Sequence, residues 1–287
     1  MQNACVKMLV QVVKSEGKTG VDTQSVNFAM AALGRVGGVA PDASGKGGCP
    51  AAVREMAYNE LMDAFKNKAT LRSFSALGLG VLGKDLPETF KQSIGDAILG
   101  TLTKSTGDNE ARGSMVISLG LLKDIQAATV LQSILQDKGI DKKLRGTAAV
   151  ALGLIGDRSA LDVVHKALME KDDRELRVDT AIAAGLLHDT EAVTAMVEIL
   201  KDPKASQFIL GSVATALGQI GDQRAVEPLA QVLTDDAKQY PDLTRALAAV
   251  ALGQIGDKTD VPVLSRLSED VNYRAYYDAI GEVLTII

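Results

Sequence analysis

ALGLIGD (residues 151–157) is the stretch that determines the fold, because ALGQIGD occurs at residues 216–222 and again at 251–257. Looser copies are SLGLLKD, AAGLLHD, GLGVLGK and ALGRVGG, which end at Asp124, Asp189, Lys84 and Gly38. The first glycines of these seven markers lie 46, 40, 33, 32, 33 and 35 residues apart. A period of this length indicates stacked supersecondary units that each contact only their neighbours.

The segments between the markers have the apolar spacing of helices. Val226, Leu229 and Leu233 lie on one helical face, and an Ala-rich second helix over residues 243–253 follows. Strand signals are absent, so the sequence predicts an all-α fold. The predicted helical pairs are 3–15 with 23–34, 50–65 with 70–81, 86–103 with 109–121, 124–135 with 142–154, 158–169 with 174–186, 190–200 with 205–219, 223–233 with 241–254, and 258–268 with 272–286.

Each marker predicts the end of one helix and the start of the next. Gly156, Gly221 and Gly256 are expected to take a positive φ as helix C-caps. The aspartate that follows can accept hydrogen bonds from the free N–H groups of the next helix. These aspartates are Asp124, Asp157, Asp189, Asp222 and Asp257. Lys123 and His188 replace the glycine in two markers, which predicts either strain or a different geometry at those turns.

An arginine precedes the first glycine of most markers by eight residues. The series is Arg72, Arg112, Arg145, Arg177 and Arg245. Asp137, Asp172, Asp202 and Asp235 precede several of them in the turn between paired helices, which would allow a ladder of ion pairs. A residue that recurs once per repeat is expected to serve packing between repeats rather than chemistry.

This combination of turn aspartate, arginine and ALG-x-IGD resembles the short bacterial form of HEAT repeats, the type also found in phycobilisome-lyase-like proteins. The resemblance implies a right-handed α-α superhelical solenoid of about eight pairs. We predict a single array over residues 1–287, with degenerate repeats over 1–108 and a Gly-rich loop at 35–50. Regular repeats are predicted over 109–270 and a C-terminal capping helix over 271–287.

Charge and composition limit the partners. The chain carries a formal net charge of −5, and residues 1–150 hold 18 basic and 14 acidic residues against 13 and 22 in residues 151–287. The acidic balance argues against dedicated nucleic-acid binding. The start of the chain predicts neither a signal peptide nor a membrane span, so a cytoplasmic protein is expected if Met1 is the native start. Cys5 and Cys49 are expected to be free thiols, with one disulfide as the alternative.

The sequence contains no recognisable set of catalytic residues. Only His165 and His188 are available, and the paired His-Glu motifs of HEAT-like deoxyhypusine hydroxylases do not occur. The aromatic-lined basic cleft expected of HEAT-like DNA glycosylases is disfavoured, since the chain has no Trp. GLGVLG at residues 78–83 closes a helix instead of following a strand, which excludes a dinucleotide fingerprint. We predict no catalytic residue, cofactor or metal.

The resemblance implies an extended concave face, lined by the second helix of each pair, that binds a protein or peptide. A non-catalytic interaction scaffold is therefore the predicted function. Tyr273, Tyr276 and Tyr277 are candidate partner contacts, with a capping role as the favoured alternative. A bilin lyase-like subunit that handles a linear tetrapyrrole is the alternative function, and a third is the interaction segment of a larger envelope or regulatory protein.

Overall fold

The computed structural model describes residues 2–17, 21–39, 48–84, 86–105, 107–170, 174–202, 204–235 and 239–258. Within these ranges the chain forms fourteen α-helices and no strand, which confirms the predicted all-α class. The helices are α1 (Gln2–Lys14), α2 (Thr23–Gly37), α3 (Ala51–Asn67), α4 (Arg72–Gly83), α5 (Glu88–Leu102), α6 (Asn109–Leu122), α7 (Ala128–Gln136), α8 (Lys142–Ile155), α9 (Leu161–Leu168), α10 (Arg174–Leu186), α11 (Val193–Leu200), α12 (Gln207–Ile220), α13 (Val226–Leu233) and α14 (Asp242–Lys258).

Odd-numbered helices are the first and even-numbered helices the second of each pair, in the predicted register. Single turns of 3-10 helix open α4, α7, α9 and α13. The predicted eighth pair and the capping helix at 271–287 lie outside the described residues, apart from Lys258 at the end of α14. Of the helices that the structure describes, none combines the length and apolar character needed to cross a membrane.

Two predicted helix ends are wrong. Helix α14 continues through Gly256 to Lys258, and Gly256 does not take a positive φ, so Gly256 is not a C-cap. The predicted role of Asp257 at the start of the next helix concerns residues outside the described ones and stays a prediction. A helical glycine costs only about 1 kcal/mol, which is too little to end a helix by itself. Helix α2 extends to Gly37 instead of giving way to a loop at Gly34, because both glycines pack against neighbouring helices. Residues 40–47 of the predicted loop lie outside the described residues.

The chain divides into two compact units, which we call unit 1, up to Leu131, and unit 2, from Gln132 onward. In unit 1 the second helices α2, α4 and α6 pack side by side, with the first helices α1, α3 and α5 against them. In unit 2 the second helices α8, α10, α12 and α14 form the same kind of layer. Each unit is thus a stack of helical pairs, and the single array over 1–287 stays a prediction.

The small residues of the marker allow the second helices to approach closely. A Cβ at Gly218 would lie 2.7 Å from the Cα of Ala251, and a Cβ at Gly80 would lie 2.8 Å from the Cα of Ser118. In both cases the partner stands two residues before the first glycine of the next marker. The alanine and the glycine of ALG are therefore the two sides of one helix–helix contact.

The turns after the second helices match the prediction at two glycines. Gly156 has a φ of 79° and Gly221 a φ of 75°, and their N–H groups donate to the carbonyls of Leu152 and Leu217. Lys123 and His188 take the same left-handed conformation, with φ of 55° and 51°. A side chain in this region costs on the order of 1 kcal/mol, so these two turns store strain.

Candidate interaction surface

The second helices of unit 1 present an apolar outward face. Residues six and three before the marker's first glycine, and one after it, fall on one side of a helix because their spacings are three and four. In α2, α4 and α6 six of these positions carry large apolar side chains that are exposed or half-buried. They are Phe28, Phe74, Leu77, Val81, Ile117 and Leu121. We call this set the apolar face; its most open member, Phe28, is 51% exposed.

Helix α4 shows why these side chains point outward. Leu79 and Leu82 are fully buried in the core. Gly78 lies against the backbone of α2, and Gly80 lies against the backbone of α6. With three sides of the helix in contact, only the side that carries Leu77 meets solvent.

The three second helices of unit 1 run parallel. Gly34 of α2 lies against Gly78 of α4, and three residues further on Gly37 lies against Leu82. Helices α4 and α6 are related in the same way, since Gly83 follows Gly80 along the contact with α6. The C-terminal ends of all three helices therefore lie along one edge of the apolar face.

That edge is basic. Arg35, Lys84 and Lys123 stand at the ends of α2, α4 and α6, and all three are exposed. Within the described residues none of them has an ion-pair partner. We call these three residues the basic edge.

The opposite edge is acidic at two of the three helices. Asp22 accepts a hydrogen bond of 2.6 Å from the N–H of Ser25, and Asp108 accepts one of 3.0 Å from the N–H of Ala111. The backbone and side-chain hydrogen bonds from Ser25 lower the pKa of Asp22 below its usual value. The N-terminal edge of the apolar face therefore carries carboxylates at α2 and α6, whereas α4 begins at Arg72.

The corresponding face of unit 2 is less apolar. Six residues before the marker's first glycine, α8, α10 and α12 carry Thr147, Asp179 and Ser212, where α2 and α4 carry phenylalanine. Three residues before that glycine, Val150 is buried and Ile182 is half-buried. At these positions α8, α10 and α12 thus lack the aromatic side chains of α2 and α4, although Phe208 is exposed at the start of α12.

The repeated arginines bind carbonyl groups at the ends of first helices. The Nε of Arg145 donates to the Leu135 carbonyl at 2.8 Å, and Arg72 and Arg245 donate to the carbonyls of Phe65 and Leu233 at 3.3 Å. These bonds satisfy carbonyls that a helix leaves unpaired in its last turn. The Nε atoms of the other two arginines of this repeated series are buried without a hydrogen-bond partner within the described residues. They are those of Arg112 and Arg177.

The predicted ladder of Asp–Arg ion pairs is not what the structure shows. Arg145 pairs with Glu170 through two hydrogen bonds of 2.8 and 3.2 Å. Asp137 instead accepts the N–H of Gly139 at 2.8 Å, which fixes its own turn. The short aspartate side chain bonds local backbone more readily than it reaches a neighbouring helix. Asp202 and Asp235 also bond backbone N–H groups, and Asp172 lies outside the described residues.

The marker aspartates open the helical segments that follow. Asp124, Asp157 and Asp222 each accept the N–H two residues later, and Asp189 accepts two N–H groups. Hydrogen bonds from the side chain and backbone of Ser159 lower the pKa of Asp157, and a side-chain hydrogen bond from Arg224 lowers that of Asp222. Burial raises the pKa of Asp124.

The histidines and cysteines contribute to no candidate metal site in the described part of the chain. The Nδ1 of His188 lies 2.9 Å from the Gln219 carbonyl, and that of His165 lies 3.7 Å from Asp189. No group of three or more potential metal ligands occurs among the described residues. Cys5 is exposed and Cys49 buried, and both are free thiols.

An open groove of about 510 Å³ lies between α1 and α3. Its polar lining includes Glu55 and Asp63, and Lys14 pairs with the buried Glu60 at 3.3 Å. The groove is the second candidate surface of unit 1, on its first helices.

Sequence reasoning identified the repeat but not the apolar face. Tyr273, Tyr276 and Tyr277, the residues singled out as partner contacts, lie outside the described residues, so that hypothesis stays a prediction. Aligning the chain on its markers would have found the better signal. In α4 and α6, large apolar residues stand three positions before and one position after the first glycine, and they are only half-buried.

Comparison with protein families matches HEAT repeats over residues 97–178, 138–210, 162–241 and 211–283. These overlapping segments span almost two thirds of the chain. No curated protein sequence matches the chain.

Twenty-two chains of solved structures match this chain, among them the following two. The complex of CpcE and CpcF of phycocyanin lyase from Nostoc sp. PCC7120 aligns with 18% identity and a TM-score of 0.53, covering 87% of this chain and 94% of that one. Human deoxyhypusine hydroxylase in complex with glycerol aligns with 15% identity and a TM-score of 0.35, covering 89% and 97%. The phycocyanin lyase likeness is one of fold, and it confirms the resemblance to lyase-type repeats at that level. On its matched repeats, the chain belongs to the HEAT-repeat family.

Proposed function

We propose that the chain is a non-catalytic interaction scaffold that binds a protein or peptide on the outward face of its second helices. The observation that carries this proposal is the apolar face, where six large apolar side chains remain exposed or half-buried on adjacent helices. Contiguous apolar surface of this kind is typical of protein-binding sites. The family supports the proposal, because stacked repeats offer extended surfaces for binding.

Photo-crosslinking from defined positions tests the proposal. A benzophenone amino acid is placed at Leu77 or Ile117, on the second helices, and at Met56, a half-buried position on first helix α3. After irradiation of cells that naturally make the protein, we expect a discrete adduct from Leu77 and Ile117 and none from Met56. Adducts from Met56 alone would move the site to the groove between α1 and α3, and no adduct at any position would contradict the proposal.

A bilin lyase-like subunit is the second candidate, favoured by the fold likeness to the phycocyanin lyase complex. It predicts that purified protein changes the visible absorption of a linear tetrapyrrole such as phycocyanobilin. It also predicts that Ile117→Glu abolishes this change while the matched unit 2 variant Ile182→Glu does not. An unchanged spectrum with the wild-type protein would leave the scaffold proposal standing alone.

A further inference from the structure

We propose that the apolar face of unit 1 binds an amphipathic α-helix of a partner protein, and that acidic residues on one flank of this helix pair with the basic edge. The inference rests on the proposed function and specifies the chemistry of its partner.

The dimensions of the apolar face fit a single helix. Along α4 its side chains run from Phe74 to Val81, about 10 Å at 1.5 Å per residue. Helix α6 contributes Ile117 and Leu121, and α2 contributes Phe28 alone. Three parallel helices packed about 8–10 Å apart extend it to about 16–20 Å in the other direction. This area is about as wide as one α-helix and as long as three to four of its turns.

An extended segment would fit this surface less well. The backbone groups of α2, α4 and α6 are used within their own helices, so the face offers no ladder of free N–H and C=O groups. A strand laid on it would bury its own backbone groups unpaired, whereas a helix satisfies its backbone internally.

The basic edge selects the charge of the partner. Arg35, Lys84 and Lys123 are exposed at the ends of parallel helices, and within the described residues they have no ion-pair partners. Basic residues also offset the dipole at a helix C-terminus. A second helix does not need a basic residue for this purpose, because α8 and α12 end at the uncharged residues Gly156 and Gly221.

Lys123 strengthens the charge argument. It occupies the left-handed turn position that glycine fills at the ends of α8 and α12, and its φ is 55°. The turn therefore carries a strained cation where an uncharged residue would cost less. An acidic flank that passes this edge would meet three cations in a row.

Two designed peptides test the proposal by fluorescence anisotropy. Both are labelled 18-residue amphipathic helices with the same leucine stripe, and one has a glutamate flank where its twin has a lysine flank. We expect the full-length protein to bind the glutamate peptide at least about tenfold more tightly than the lysine peptide, and less tightly at high salt. Equal binding of the two peptides, or binding of neither, would overturn the proposal.

Variants separate the apolar from the electrostatic contribution. Ile117→Glu is expected to lower the affinity for the glutamate peptide about tenfold or more, while the matched unit 2 variant Ile182→Glu retains wild-type affinity. The triple variant R35E/K84E/K123E changes only exposed side chains, and we expect it to reverse the preference in favour of the lysine peptide. Unchanged preference in the triple variant would refute the assignment of the basic edge even if Ile117→Glu failed to fold.

The failure of this inference is distinguishable from the failure of the proposed function. If crosslinks form from Leu77 and Ile117 in cells but the glutamate peptide shows no preference, the second-helix face binds a partner of other chemistry. If neither occurs, both proposals fall.

Discussion

Left-handed turn residues determine how each second helix ends. Gly221, with a φ of 75°, occupies a region in which a side chain is strained, and a β-branched side chain most of all. We expect Gly221→Val to lower the free energy of unfolding by about 1–3 kcal/mol in chemical denaturation. Gly100→Ala is the control, because Gly100 is exposed within α5 with open space around it. The free energy of unfolding of this control should rise by about 0.5–1 kcal/mol. Equal stability of Gly221→Val and the wild type would disprove the turn assignment.

At Lys123 the reverse substitution can be tested, because a side chain is removed from the same kind of left-handed turn position. Replacing it with glycine removes the strain of a side chain at a φ of 55°. We expect Lys123→Gly to stabilise the fold by about 1 kcal/mol and to weaken the binding of the glutamate peptide. His188→Gly relieves a similar strain in unit 2, though it loses the contact with the Gln219 carbonyl, and it should leave peptide binding unchanged. Loss of peptide binding in both variants would argue against a specific role of Lys123.

At the scale of the element, marker aspartates start the first helices and make stability depend on pH. The folded pKa of Asp222 is lowered, so its contribution is present above the unfolded pKa, about 3.9, and is lost as the pH falls through the folded value. We expect Asp222→Ala to cost about 1 kcal/mol at pH 7. The difference from wild type should shrink as the pH falls below about 4, as measured by denaturation across this range.

The pKa of Asp124 is shifted in the opposite direction from that of Asp222, so Asp124 serves as the comparison. Burial raises its folded pKa, so its contribution is present below the unfolded pKa and is lost as the pH rises through the folded value. Asp124→Asn keeps a cap and removes the buried charge, and should therefore be neutral or stabilising at pH 7. A clear loss of stability there would contradict this account.

Most contacts between second helices in the described residues depend on the first glycine of a marker. A Cβ at position 218 would lie 2.7 Å from the Cα of Ala251, so α12 and α14 would have to separate. We expect Gly218→Ala to lower stability by about 1–3 kcal/mol. Gly113→Ala in α6, where nothing lies within 4 Å of the added Cβ, should raise stability slightly. Thermal melting should therefore give a lower Tm for Gly218→Ala, and a slightly higher Tm for Gly113→Ala, than for the wild type.

At the scale of the molecule, stability is a sum over neighbouring repeats in each unit. Damage at one turn should therefore remain local. In Gly221→Val we expect amide hydrogen exchange to increase over residues 190–254 and to remain at wild-type levels over residues 2–105. A uniform loss of protection across the chain would indicate a single cooperative unit instead.

The all-α class, the seven markers and the register of the helical pairs in the described residues were all predictable from the sequence. These features follow from signals within a few residues of each other: helical spacing, capping aspartates and turn glycines. The same local logic failed at Gly256, where a glycine permits a helix end without enforcing one. Tertiary structure decided that Arg145 meets the Leu135 carbonyl and Glu170, and that Asp137 serves only its own turn. It also decided that Leu77 and Ile117 face outward beside a basic edge. Those outcomes depend on which sides of a helix its neighbours cover, and that is set by packing between repeats distant in the chain.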